Sequence, residues 1–176
     1  MWCPFLGDQI SVINRAEVRE GKPYPPAKLE VMELLPGVPA ALQALHAAGW
    51  MLIVVTNQPD VARGTMPRDV VEAINEHLHQ TLPIDEFRTC YHDSGDGCNC
   101  RKPLPGALLA AAREHDIDLG RSFMVGDRWR DVEAGQRAGC KTVFIDCGYA
   151  EKQPESYDYK VHSLQEAATI ILGEMK

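Results

Sequence analysis

This 176-residue sequence has no run of lysines and arginines, no long hydrophobic stretch, no internal repeat and no low-complexity linker. Each absence removes a class of function. Affinity for a phosphate backbone comes mainly from cationic side chains, so a chain of formal net charge −7 without a basic run is not built for nucleic acid or an anionic membrane surface. The longest strongly apolar stretch, Trp50 to Val55, has the length of a buried strand and is too short to cross a bilayer. The N-terminus lacks the basic start and apolar run of a secretory signal, so a cytoplasmic address is expected. At this length a sizeable core can be buried; one domain over residues 1–176 is expected, with a monomer as the default.

Hydrophobic residues make up 45% of the chain and charged residues 24%, a balance that suits a globular protein rather than a disordered or fibrous one. Six cysteines without a secretory signal read better as metal ligands and core residues than as a disulfide framework. Apolar runs of strand length alternate with helical patterns, which predicts an α/β fold of three layers, α/β/α and Rossmann-like, with a mainly parallel sheet. Strands are expected at Trp2 to Leu6, Met51 to Val55, Phe87 to Tyr91, Phe123 to Val125, Thr142 to Ile145 and Lys160 to Val161. Helices are expected from Gly37 to Ala48 with Gly49 as the stop, and from Pro67 to about Leu82 with Thr65 as the cap. Others should span Gly106 to His115 and Arg130 to Ala138, the latter stopping at Gly139, and a last one should begin at the capping-box sequence Ser163 to Glu166. Arg15 to Leu29, rich in charge and proline, reads as a long connection.

In an open parallel sheet, ligands sit beyond the carboxyl ends of the strands. The residues that follow the strands here are polar: Asp8, Thr56 and Asn57, Arg101 and Lys102, and Asp127. Phosphate-ester hydrolysis needs a positioned nucleophile, cations against the phosphoryl charge and a proton for the leaving oxygen. Asp8 can attack phosphorus as a carboxylate nucleophile. Asp127, with Asp131 one helical turn later, offers hard oxygen ligands for magnesium. Lys102 is a point charge for the same phosphoryl group, and Thr56 and Asn57 offer a hydroxyl and an amide. Taken singly, a Gly-Asp or a Thr-Asn after a strand is ordinary turn chemistry, and Asp131 alone would merely favour a helix start. Their order at successive strand ends carries the argument.

Val54-Val55-Thr56-Asn57-Gln58 with Ala62-Arg63-Gly64, then Cys98-Asn99-Cys100-Arg101-Lys102-Pro103-Leu104-Pro105-Gly106, then Met124-Val125-Gly126-Asp127-Arg128 followed by Asp131, resemble the second, third and fourth motifs of the haloacid dehalogenase (HAD) superfamily. The likeness covers almost the whole chain and lies closest to the branch with a zinc loop, which includes heptose bisphosphate and histidinol phosphatases. That resemblance implies a HAD fold without a large cap domain and a magnesium-dependent phosphomonoesterase acting on a small phosphorylated metabolite through an aspartyl phosphate on Asp8. The 7-phosphate of a heptose 1,7-bisphosphate is the expected substrate, with histidinol phosphate as the alternative. It further implies Asp8, Thr56 and Lys102 as catalytic residues, and Asn57, Arg63, Arg101, Lys102 and Arg128 as substrate-binding residues. Asp8, the backbone carbonyl of Ile10 and Asp127 would hold magnesium, with Asp131 supporting.

Cys90 and His92, followed by Cys98 and Cys100, supply the three thiolates and one imidazole of a closed tetrahedral zinc site, which is structural because no ligand position is left for water. Cys3, Cys140 and Cys147 lie in or beside strands and are expected in the core. The first motif departs from the family. Aligned on Val12-Ile13-Asn14, it has Asp8 as nucleophile, Ile10 where the second carboxylate, the general acid and base, belongs, and Ser11 at the glycine. Pro4 is also unwelcome in the central strand this segment should form. A catalytically impaired phosphate-binding homologue is therefore a third reading.

Overall fold

The computed structural model describes residues 4–174. Trp2 and Cys3, expected in the first strand and the core, lie outside that range.

A six-stranded, fully parallel sheet forms the middle layer. It is built from β1 (Pro4–Gly7), β4 (Met51–Asn57), β5 (Glu86–Cys90), β6 (Phe123–Gly126), β7 (Lys141–Ile145) and β8 (Tyr159–Val161), in the order β5-β4-β1-β6-β7-β8. β1 is central, as expected, and Pro4 does not break it. Pro4 is the first described residue of the strand, in register with Met51 of β4, while pairing with β6 begins at Phe5 opposite Phe123. A missing N–H is tolerated where a strand residue is not bonded on both sides.

Successive side chains of a strand point to opposite faces, and this alternation builds two cores. Phe5, Leu52, Val54, Phe123 and Val125 face one side, where α1 (Val38–Ala47), α3 (Arg68–Thr81) and α6 (Leu164–Gly173) bury Leu42, Leu45, Ile74, Leu78, Ala168 and Ile171. Leu6, Ile53, Val55 and Met124 face the other side, where α4 (Gly106–His115) and α5 (Trp129–Ala138) contribute Leu108, Ala111 and Ala134. No helix among the described residues is long and apolar enough to cross a membrane.

Several local expectations need correction. Arg15 to Leu29 is not bare connection: β2 (Glu17–Arg19) and β3 (Lys22–Tyr24) pair as an antiparallel hairpin. Thr65 does not cap α3; its hydroxyl donates to the Asp60 carbonyl at 3.2 Å, and α3 starts after an extended Pro67. A short helix, α2 (Pro59–Ala62), follows β4. Cys140 is buried, whereas Cys147 is exposed rather than in the core. Gly139 ends α5 at φ +86°, the left-handed stop that glycine adopts at no steric cost.

Candidate active site

Loops at the carboxyl ends of β1, β4 and β6 and the segment after β5 converge on one cavity of about 70 Å³, whose lining includes Asp8, Ile10, Asn57, Lys102, Asp127 and Asp131. Asp8 follows β1 directly, Asp127 follows β6, and Asp131 sits in the first turn of α5. Oxygens of Asp8, Asp127 and Asp131 lie within 4.8 Å of one another.

Lys102 enters this acidic cluster from the segment between β5 and α4. Its side chain is 1% exposed, with Nζ 2.9 Å from Asp8 Oδ1, 2.7 Å from Asp131 Oδ1, and donating to the Val55 carbonyl at 2.6 Å. Burial alone would push this ammonium down, but the Asp131 and Asp8 carboxylates outweigh it and hold Lys102 above its ordinary value. Asp8 is raised by burial, against the pull of Lys102. Asp127 is raised well above the usual carboxylate range by burial and by the charges of Asp131 and Asp8.

Neither oxygen of Asp127 has a hydrogen-bond partner although both are buried. A buried, unpaired carboxylate costs several kcal/mol. The three carboxylates have one ammonium in direct contact, Lys102, which touches Asp8 and Asp131 but not Asp127. Orphaned oxygens and a cluster of hard ligands fit a divalent cation such as magnesium. Asp131 supports the cluster in a second way, because its other oxygen, Oδ2, accepts from the Arg128 N–H at 3.0 Å and so caps α5. The close approach of Asp131 to β6 demands Gly126, where an added Cβ would lie 2.2 Å from the Asp131 Cβ.

The remaining expected residues separate into those at the cavity and those away from it. Asn57 lines the cavity, and its amide grips the Lys102 backbone: Nδ2 donates to the Lys102 carbonyl at 3.1 Å and Oδ1 accepts from the Lys102 N–H at 3.1 Å. Asn57 therefore positions Lys102 and keeps its second amide N–H beyond these two bonds. Thr56 is buried beside it, accepting from Gln58 Nε2 at 3.3 Å, and is not among the lining residues. Arg63 stands apart from the cavity, its guanidinium gripping Asp93 through two bonds of 2.7 Å and reaching Asp60 at 3.2 Å. Arg101 and Arg128 do line the cavity. Arg128 is held by Glu151 at 2.7 and 2.5 Å, and Arg101 donates to the His92 carbonyl at 3.1 Å.

Arg130 was not singled out in the sequence, yet it lines the cavity together with Arg101 and Arg128. Its guanidinium lies 4.6 Å from the ring centre of Trp129, and burial together with Arg128 and Arg101 pushes it below its ordinary value. Its place in the first turn of the helix after β6 was the available signal. A groove of about 410 Å³ adjoins the cavity, sharing Arg101, Lys102 and Arg130 and extending to Asp93, Gly97 and Cys98 of the cysteine loop.

In that loop the four expected ligands come together. Sulfurs about 2.3 Å from a tetrahedral zinc stand about 3.8 Å apart. Cys90 Sγ lies 3.8 Å from Cys98 Sγ, 3.6 Å from His92 Nδ1 and 3.0 Å from Cys100 Sγ, and Cys100 Sγ lies 3.4 Å from His92 Nδ1. Burial and the neighbouring Cys100 push the Cys90 thiol up to about 12; a bound cation reverses that bias and holds a thiolate. The donor set fits zinc, and the Cys90–Cys98 separation matches that spacing, while Cys90 and Cys100 stand closer than a bound ion would hold them. Gly106 anchors the far end of the loop, its N–H donating to the Asn99 carbonyl at 3.0 Å, and an added Cβ there would lie 2.2 Å from the same oxygen.

Comparison with known proteins points the same way. A family profile described as HAD-hydrolase-like matches residues 99–167. The D-glycero-β-D-manno-heptose-1,7-bisphosphate 7-phosphatase of Bordetella bronchiseptica is 37% identical over 123 residues, which is 67% of this chain and 69% of that protein. The D-glycero-α-D-manno-heptose-1,7-bisphosphate 7-phosphatase of Mycobacterium bovis is 38% identical over 155 residues, 82% of this chain and 79% of that one. The crystal structure of the D,D-heptose 1,7-bisphosphate phosphatase from B. bronchiseptica, complexed with magnesium and phosphate, superimposes with a TM-score of 0.84 at 30% identity and covers 99% of both chains.

Proposed function

Because the chain belongs to the HAD-like hydrolases, in the group of the heptose-1,7-bisphosphate 7-phosphatases, we propose that it is a magnesium-dependent phosphomonoesterase acting on the 7-phosphate of a heptose 1,7-bisphosphate. The observation that carries this reading is the convergence of Asp8, Asp127, Asp131 and buried Lys102 on one cavity. Magnesium, held by Asp8, Asp127 and the Ile10 carbonyl with Asp131 in support, would offset the charge of the phosphoryl oxygens. Asp8 attacks phosphorus and carries the phosphoryl group as an aspartyl phosphate. Lys102, oriented by the Asn57 amide, faces the same group as a fixed positive charge.

A cavity of 70 Å³ suits a cation and a phosphoryl group, and the sugar would lie in the adjoining groove. Arg101 and Arg130, shared by cavity and groove, suit a second phosphate on the same molecule. A screen of heptose 1,7-bisphosphates of both anomers, histidinol phosphate and nucleotides, each with and without magnesium, tests the assignment. Heptose bisphosphate should give the highest kcat/KM; preference for histidinol phosphate would overturn it.

Ile10 cannot transfer a proton, and general acid-base catalysis is worth roughly 10²–10⁴-fold. Ile10→Asp is accordingly expected to raise kcat on the sugar phosphate by at least about 10²-fold. An unchanged rate would mean that position 10 is not where the leaving-group proton is handled.

Cys90, His92, Cys98 and Cys100 would hold zinc, which would fix the loop that carries Arg101 and one wall of the groove. Cys98→Ser should lower the melting temperature and raise KM together, with atomic absorption showing the loss of zinc. If zinc-free protein keeps its KM, the loop has no part in substrate binding. The protein is proposed to act in the cytoplasm, as a monomer.

A further inference from the structure

We infer that this chain retains the phosphoryl group it accepts: with a donor whose leaving group needs no proton, Asp8 forms an aspartyl phosphate that water removes slowly, so an acyl phosphate phosphorylates the protein rather than being turned over. This rests on the assignment of Asp8 as nucleophile.

The inference comes from the inventory of the cavity. Hydrolysis through Asp8 has two halves. In the first, an Asp8 oxygen forms a bond to phosphorus, the ester bond breaks, and the leaving oxygen takes the electron pair and a proton. In the second, a water oxygen attacks phosphorus, its proton must pass to a base, and the Asp8 carboxylate departs with the electron pair. Both halves need a proton carrier beside Asp8, and the side chain of residue 10 on that wall is a hydrocarbon.

Among the described residues, no other lining group is free for the task. Asp131 is held by the Arg128 N–H on one oxygen and faces Lys102 with the other. Lys102 is clamped between Asp8, Asp131 and the Val55 carbonyl. Asp127 belongs to the cation, and Arg101, Arg128 and Arg130 do not deprotonate. Glu17, the next carboxylate along the chain, is exposed in the β2–β3 hairpin and paired with Arg19 at 2.6 Å. Tyr149 donates its hydroxyl to Ser11 at 2.5 Å and is not among the lining residues.

An acyl phosphate removes the proton requirement from the first half alone, because its leaving carboxylate is stable as the anion. The Asp8–phosphorus bond then forms readily while its hydrolysis still lacks a base. The lost contribution of about 10²–10⁴-fold falls on the second half and lengthens the life of the adduct by that factor.

The test uses the zinc-loaded protein in magnesium buffer with acetyl phosphate, followed by intact-mass spectrometry, peptide mapping and removal of the donor to time the decay. One phosphoryl adduct on Asp8, absent in Asp8→Asn and released by hydroxylamine, is expected to outlive the adduct of Ile10→Asp by about 10²-fold or more. Equal lifetimes in the two proteins, or an adduct in Ile10→Asp but none in wild type, would overturn the inference and leave the phosphatase reading standing. No adduct on Asp8 in either folded protein, with circular dichroism unchanged, would instead remove Asp8 as the nucleophile. A burst of one equivalent of p-nitrophenol from p-nitrophenyl phosphate, followed by a slow steady state in wild type alone, gives a second readout; a linear time course at the burst rate counts against retention.

Discussion

Lys102→Met is expected to lower the stability of the magnesium-free protein by about 3–5 kcal/mol, roughly 10 °C in melting temperature for a chain of this size, and to abolish phosphatase turnover. The ammonium is 1% exposed and lies between Asp8 and Asp131. Methionine fills a similar volume but leaves both carboxylates buried without their counter-charge. The cost is that of uncompensated charge, not the net worth of the pair. Lys102→Arg should not rescue function, because the planar guanidinium cannot reproduce a compact charge that also donates to the Val55 carbonyl at 2.6 Å. Thermal melts and phosphate-release assays check both effects, and an unchanged melting temperature would refute this electrostatic account of the cluster.

Asp127→Asn separates stability from function in the opposite direction. Its carboxyl is held well above the usual range by burial and by Asp131 and Asp8, and both oxygens lack partners. A folded-state pKa above the unfolded value of about 3.9 contributes stability that is complete below the unfolded value and is lost as pH rises through the folded one. Magnesium-free wild type should therefore lose stability relative to Asp127→Asn between acidic and neutral pH. The variant should melt higher than wild type without magnesium, gain little when magnesium is added, and have no turnover. Melting curves over this pH range, with zinc retained and magnesium varied, measure each part. A variant that magnesium stabilises as much as wild type would show that Asp127 is not the ion's ligand.

Much of the fold was legible because its signals are local. Strand-length apolar runs such as Met51 to Val55, and glycine stops such as Gly139, report on neighbours a few residues away. β4 and α5 accordingly lie close to where the sequence placed them. Pro4 shows the limit of that reasoning: a rule against proline in a central strand holds for a residue bonded on both sides, and only the register reveals that pairing with β6 starts one residue later. Ser11 shows the reverse. Matched in sequence to a glycine, it adopts φ +67°, the left-handed backbone that favours glycine there.

For the site, residue types and order pointed to the cluster, but not to how each side chain is employed. Asn57 and Thr56 were expected as donors, and Arg63 as a substrate contact. The amide of Asn57 also holds a backbone 45 residues away, Thr56 stands outside the cavity lining, and Asp93 holds Arg63 across 30 residues. Arg130 went unremarked because a lone arginine has no spacing to read; its meaning comes from sharing a wall with Arg101 and Arg128.

By itself the sequence determined the layered α/β architecture, the acidic and lysine residues at the strand ends, the four metal-ligand types of one loop and the hydrocarbon at position 10. Periodicity, chemistry and order are written along the chain. Only the tertiary structure decided that Lys102 is buried between two carboxylates and that, among the described residues, both Asp127 oxygens are left without partners and no lining group stands free to move a proton beside Asp8. Burial and pairing arise between residues far apart in sequence, and it is burial and pairing that set what a charge costs and what it can do.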